Sequence, residues 1–176
     1  LFYFPYGYGE SFVSRLYKTD GWQRVNEAYQ KQPVTTEQVM HHEKYLSGEG
    51  PKSIEALSFS IAGWQEERLD RLGEYFIRVM LQTWLPEPEA RRAAQGWGGD
   101  RLTYYEWQQA YLFTWQTVWD SSQDADEFYH AFLRMLEKVG ATPVGVNLWL
   151  GQGEYLWVKK AGDQGVLIVA AKEKSI

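Results

Sequence analysis

The sequence predicts an α+β chain, a helical half followed by a β-β-α-β-β antiparallel sheet unit, with the change of character near residue 97. Three observations predict it. Up to Gly96 the apolar residues recur at three- and four-residue spacing between Gly and Pro breaks, the period of helices with one buried face. After Gly98-Gly99-Asp100 they alternate within segments rich in Tyr, Trp, Thr and Val, the period and composition of paired strands. Helical spacing then returns from Asp124 to Val139 and gives way to two more apolar segments, which suits a sheet with a helix laid across one face. The chain divides accordingly into a helical region, 1–97, and a sheet domain, 98–176.

Element by element, Phe12, Val13, Leu16 and Tyr17 fall on one side of a first helix after Pro5. Asp20 suits the N-cap of a second, Gly21 to Tyr29, that carries Trp22, Val25 and Tyr29, so the two form a helical hairpin closed by Pro33. Thr35 and Gln38 have the spacing of a capping box and open a third helix running through His41-His42-Glu43 to Leu46, ended by Gly48 and Gly50-Pro51. Between 51 and 71 the residues Ile54, Leu57, Phe59 and Ile61 suggest extended chain before a charged stretch from Trp64 to Asp70, a stretch left without an assigned element. Tyr75, Phe76, Val79, Met80 and Trp84 mark a fourth helix stopped by Pro86, and Pro88 starts a short basic one ended by Gly96. Gly96 to Gly99 reads as a turn. Strands follow at Leu102–Trp107 and Tyr111–Trp119, then the Asp124 helix, then strands at Tyr155–Lys160 and Gly165–Ala171 joined through Gly162 and Asp163.

Composition restricts the function classes. The chain of 176 residues has 18 basic and 23 acidic side chains, a formal charge of −5, with no clustering of Lys and Arg, which argues against nucleic-acid or anionic-membrane binding. No Cys is present, which removes thiol catalysis and every Cys-containing zinc site. The longest clean apolar run, Val166 to Ala171, is far short of a membrane span. Leu1 leads directly into Phe2-Tyr3-Phe4 with no signal-peptide pattern, a beginning that suggests a processed product or a piece of a longer polypeptide.

The local motifs are weak. His41 and His42 are adjacent on the predicted helix and point about 100° apart, so they cannot grip one metal; Glu37 and His41 share a face and supply two ligands at most, where a catalytic zinc needs three. His42-Glu43-Lys44-Tyr45-Leu46 begins as HExxH does and ends in Leu. No phosphate loop and no nucleophile elbow occur. The acidic pairs Glu66 with Asp70 and Asp124 with Glu127 read as solvated or helix-start charges. What stands out is the aromatic content, nine Trp, twelve Tyr and eight Phe. Trp97, Trp107, Trp115 and Trp119 are the candidates for a stacking platform, with burial in the core as the competing use.

From Pro5 to Leu46 the residues Tyr6, Gly9, Phe12, Gly21-Trp22, Val25-Asn26, Pro33, Thr36-Glu37-Gln38, His41 and Glu43-Lys44-Tyr45 form a pattern that resembles a group of uncharacterised bacterial zincin-like proteins of the gluzincin type. Gly73-Glu74, Gly96-Trp97-Gly98-Gly99-Asp100-Arg101 and Trp119-Asp120 extend the resemblance over most of the chain. His42 stands where the group has Pro, and Asp20 where it has the first Gly of Gly-Gly-Trp. The resemblance implies an HExxH helix and a further Glu ligand upstream, outside these residues, so that zinc is expected only with that upstream part and no metal or other cofactor in this chain. It also implies an oxyanion-stabilising Tyr or His, for which His41, Tyr6 and Tyr8 are the positions, and an extracytoplasmic location.

The leading expectation is therefore the C-terminal scaffold and substrate-groove portion of a zincin-like metallopeptidase, not catalytic by itself, with its own N-terminal part as partner. The alternatives are a non-catalytic aromatic module that binds a peptide or glycan, or an interaction subunit of a cleaved larger protein.

Overall fold

A computed structural model describes residues 2–55, 57, 64–108 and 110–172, with backbone only for Gln65 and Glu67. The first helix, α1 (Phe4–Gln30), is broken at Asp20 and Gly21, whose backbones leave the helical region, at the predicted boundary. Its two halves fold on each other through buried Phe12, Leu16 and Val25, with Tyr45 edge-on to Phe12. The predicted third helix is two: α2 (Thr36–Met40) and α3 (His42–Ser47), separated by His41 at φ −122°, ψ 84°. Thr35 Oγ1 accepts from Gln38 N as the capping-box spacing requires, while the Gln38 side chain accepts from Val34 N instead of the cap residue.

The stretch from Trp64 to Asp70 contains a strand, β1 (Gln65–Asp70); Phe59 and Ile61, expected to be extended, lie outside the described residues. Next come α4 (Gly73–Gln82), α5 (Glu87–Ala94), β2 (Trp97–Trp107), β3 (Ala110–Trp119) and α6 (Ser122–Lys138). The chain ends in β4 (Thr142–Gly145), β5 (Leu148–Gly151), β6 (Glu154–Ala161) and β7 (Gly165–Lys172). All seven strands form one antiparallel sheet in the order β1-β2-β3-β7-β6-β5-β4. The α+β class holds, and the β-β-α-β-β unit gains β1 at one edge and β4–β5 at the other. Gly98 and Gly99, expected in a turn, are instead inside β2. A Cβ on Gly99 would sit 2.8 Å from the backbone oxygen of Lys52, so only glycine lets that segment cross the strand.

The core lies on one face. Trp97, Trp115 and Trp119 from β2 and β3, Val166 and Ile168 from β7, and Val158 from β6 meet Phe128, Phe132 and Met135 of α6 and Ile77 and Leu81 of α4. The Trp119 and Phe128 rings stack at 4.7 Å, and Trp115 stands edge-on to Phe128 at 5.7 Å. Beneath these rings Asp100, almost fully buried, accepts four N–H groups: the backbones of Leu72 and Gly73 at 2.9 Å each, Trp97 Nε1 at 2.9 Å and Trp115 Nε1 at 3.1 Å. One carboxylate thus caps α4 and ties it to the β2–β3 hairpin. No helix among the described residues is long and apolar enough to cross a membrane.

Replacing Asp100 by Ala strands those four donors in the core, and urea denaturation is expected to show a loss of about 3–5 kcal/mol. Asp100→Asn, which keeps one acceptor, is expected to lose less.

Candidate functional site

The break at His41 creates the site. The His41 N–H closes α2 on Glu37 O at 2.7 Å and its carbonyl opens α3 through Lys44 N at 2.9 Å. The side chain released from the helix face reaches Glu74 in the first turn of α4, Nε2 to Oε1 at 3.0 Å. Glu74 is 1% exposed, and its other oxygen, Oε2, has no hydrogen-bond partner. The bond to Glu74 raises the His41 pKa above its ordinary value against the opposing effect of burial. Its Nδ1 lies 3.8 Å from the exposed Glu43 carboxylate, beyond hydrogen-bonding reach. The buried carboxylate therefore favours the charged form of His41, and in that form the Nδ1–H has no acceptor within hydrogen-bonding reach among the described residues.

Gly73 holds the two elements together. Its φ is +78°, and a Cβ there would lie 2.8 Å from Thr36 Oγ1, the hydroxyl that accepts from Tyr75 N at 3.3 Å. The N-terminal turn of α4 can sit against α2 only because residue 73 has no side chain.

Beside this pair is a second polar group. Lys44 Nζ lies 2.6 Å from Glu37 Oε1, 2.6 Å from Asp120 Oδ2 and 2.8 Å from Glu49 Oε1. Lys52 Nζ adds a contact of 3.2 Å to Asp120 and donates to Trp119 O at 2.7 Å. Burial opposes the Lys44 charge, but hydrogen bonds from Asp120, Glu37 and Glu49 outweigh it and raise its pKa. Three carboxylates thus face two ammonium groups, one negative charge too many. Glu37 is the most buried of the three, and desolvation lifts its pKa to about 7 despite the Lys44 bond.

Glu37, Glu49 and Asp120 also form the one trio among the described residues spaced to hold a metal ion. The trio does not fit zinc: its donors are all hard oxygens and the Lys44 ammonium bonds to each of them. Glu37 and His41, expected to share a helix face, turn to different partners, Lys44 and Glu74, because the helix breaks between them.

The remaining candidates are dispersed. Tyr6 is 76% exposed. The Tyr8 hydroxyl accepts from Arg78 Nη1 at 2.7 Å, and its ring packs on Phe4 and on Tyr75, the neighbour of Glu74. Burial raises its pKa, so it stays a neutral phenol. Trp97, Trp115 and Trp119 offer no platform: all three are in the core, with indole N–H groups committed to Asp100 and, for Trp119, to Thr117 Oγ1 at 3.0 Å. Trp107 alone of the four is open, 43% exposed beside Trp64. The accessible aromatic face is instead Tyr104, Tyr111 and Phe113, where ring centroids lie 4.8–6.1 Å apart beyond the reach of α6. The cross-strand pair Tyr104–Phe113 was the available signal for it.

Residues 60–176 match the family model of a domain of unknown function, DUF8575. The chain belongs to this family. The DUF8575 match takes in all seven strands and α4–α6, hence Glu74, Asp100 and Asp120, and leaves α1–α3 with Glu37, His41 and Lys44 outside. No curated protein and no solved structure matches the chain. The site therefore joins the family domain to the helices that precede it.

Glu37 binds its proton in the folded chain up to about pH 7, against 4.5 for an ordinary Glu, so native molecules carry more protons than unfolded ones between those values. Its contribution to stability is complete below pH 4.5 and is lost as pH rises through 7. His41, also raised, acts in the same direction. Thermal unfolding followed from about pH 5 to about pH 8 is expected to show falling stability, with the fall reduced in Glu37→Gln.

Proposed function

We propose that this chain is the C-terminal portion of a zincin-like metallopeptidase, not catalytic on its own, giving it scaffold and one wall of a substrate groove in an extracytoplasmic setting. The observation that carries the reading is convergence. The residues by which the sequence resembles that group, Glu37, His41 and Lys44 from one segment and Glu74 and Asp120 from far along the chain, make two adjacent polar networks with one another. In this reading His41 is a donor: its imidazolium, held by Glu74, keeps one N–H available to an oxyanion formed on a bound peptide.

A second feature supports a partner surface. The α1 region has three buried apolar residues, Phe12, Leu16 and Val25, while Tyr6, Val13, Tyr17, Trp22 and Tyr29 stand exposed on the same element. An apolar surface of that kind suits coverage by the remainder of a larger protein.

The aromatic-module reading has one observation in its favour, the Tyr104, Tyr111 and Phe113 face, bordered by the Glu154 carboxylate bonded to Tyr111 and by Lys172, 5.0 Å above the Tyr111 ring. Saturable quenching of fluorescence by a peptide or glycan, lost in Phe113→Ala, would favour it.

The coding sequence upstream of Leu1 tests the leading reading directly: an HExxH helix is expected there, and a start codon immediately before Leu1 overturns it. In the intact protein His41→Gln is expected to lower kcat for peptide hydrolysis about a hundredfold with KM little changed. Glu74→Gln is expected to lower the His41 pKa read by NMR.

A further inference from the structure

Beside Asp100 is a hollow of about 370 Å³ whose polar lining is Lys52, Ser53, Asp70, Arg71, Asp100 and Arg101, with Ile54 and Leu69 completing it. Its acidic members are already engaged. Asp100 accepts four N–H groups, and Asp70 accepts from Arg71 N at 2.9 Å and from Arg68 Nη2 at 3.1 Å. Lys52 is held by Trp119 O and Asp120. Two arginines also line it. Arg71 is exposed, and among the described residues its guanidinium has no partner. Arg101 is more telling: its side chain is only 21% exposed, its Nη2 lies 3.7 Å from Glu66 Oε2, beyond hydrogen-bonding reach, and its Nε is buried with no hydrogen-bond partner. A guanidinium carries five donors in a fixed plane, and burying it without acceptors is costly.

We propose that this hollow is an oxyanion site, in which Arg101 and Arg71 bind the two oxygens of a carboxylate or the oxygens of a phosphate, with the Ser53 hydroxyl as a further donor. The chemistry follows from the shortage. The unsatisfied groups around the hollow are donors, and a planar fork of N–H groups matches oxyanions in pairs. Asp100 does not oppose the ligand strongly, because its charge is spread over four N–H dipoles, two of them from the start of α4. The site is independent of the reading given for His41.

Isothermal titration of the full chain with inorganic phosphate and, separately, with succinate tests it. Saturable binding of at least one probe is expected, and the tighter of the two names the group preferred. Arg101→Gln is expected to weaken it about tenfold or more, the loss of a charge-assisted hydrogen bond, and Arg71→Ala several-fold. Arg71 is exposed, so its variant keeps the test sharp if Arg101→Gln fails to fold. Arg134→Ala, which removes a paired guanidinium from the groove between α5 and α6, is expected to leave binding unchanged. Absence of saturable binding for both probes overturns the proposal, as does equal weakening in Arg134→Ala.

Discussion

The buried carboxylate of Asp100 is the constraint on which the arrangement depends. A carboxylate in an apolar core is tolerable only when its charge is met by donors, and here four N–H groups meet it from three directions: the start of α4, the β2 indole of Trp97 and the β3 indole of Trp115. These bonds fix more than a helix cap. They hold two large indoles in the orientation from which Trp115 meets Phe128 and Phe132 of α6. They also fix where α4 begins. Glu74 follows Gly73 directly, so the residue that anchors the helix start to the sheet determines where the His41 partner stands.

The same constraint explains the charge balance at Lys44. Asp120 follows Trp119, a fully buried end of β3, and its backbone N–H donates to Gly96 O at 2.8 Å. It therefore reaches the α2–α3 helices from a rigid position, and Lys44 meets it there together with Glu37 and Glu49. With three acids facing two cations, burial first and the neighbouring carboxylates next raise the Glu37 pKa to about 7. This group links helices to sheet without a metal's coordination demands, and it responds to pH where a fully matched ion pair would not.

Legibility in the sequence followed burial pattern. The α6 stripe was readable from its helical period, β2 and β3 from their alternation and their Tyr, Trp, Thr and Val content, and β6 and β7 as short apolar segments joined by turn residues. β1, Gln-Glu-Glu-Arg-Leu-Asp, and β4, Thr-Pro-Val-Gly, were not, because both are edges, and edges resist pairing with other chains by charge and proline rather than by alternation. Gly98 and Gly99 read as a turn since their reason is the crossing of the Lys52 segment, a contact from far along the chain. The site was legible only in part. His41 was singled out, but Glu74 is 33 positions away and no local spacing connects them. The tryptophans show the opposite failure: alternation marks which residues share a face and not which face is covered, so Trp97, Trp115 and Trp119 suited a ligand platform as well as a core.

What separates structural from functional charge in this protein is saturation. Asp100 has four donors for two oxygens, Lys44 has three acceptors for three protons, and neither has anything left to offer a ligand. Glu74 keeps one oxygen unbonded while nearly fully buried, and Arg101 keeps a buried N–H unbonded while mostly covered. Such deficits cost stability in a folded chain, so folding alone gives no reason for them. Both are tied to Asp100 through the chain: Arg101 follows it directly, and Glu74, an acceptor short of a donor, follows Gly73, whose N–H Asp100 accepts. A chain whose fold is fastened by one fully satisfied carboxylate can carry two unsatisfied groups next to it, because the rigidity that holds them unsatisfied comes from that carboxylate.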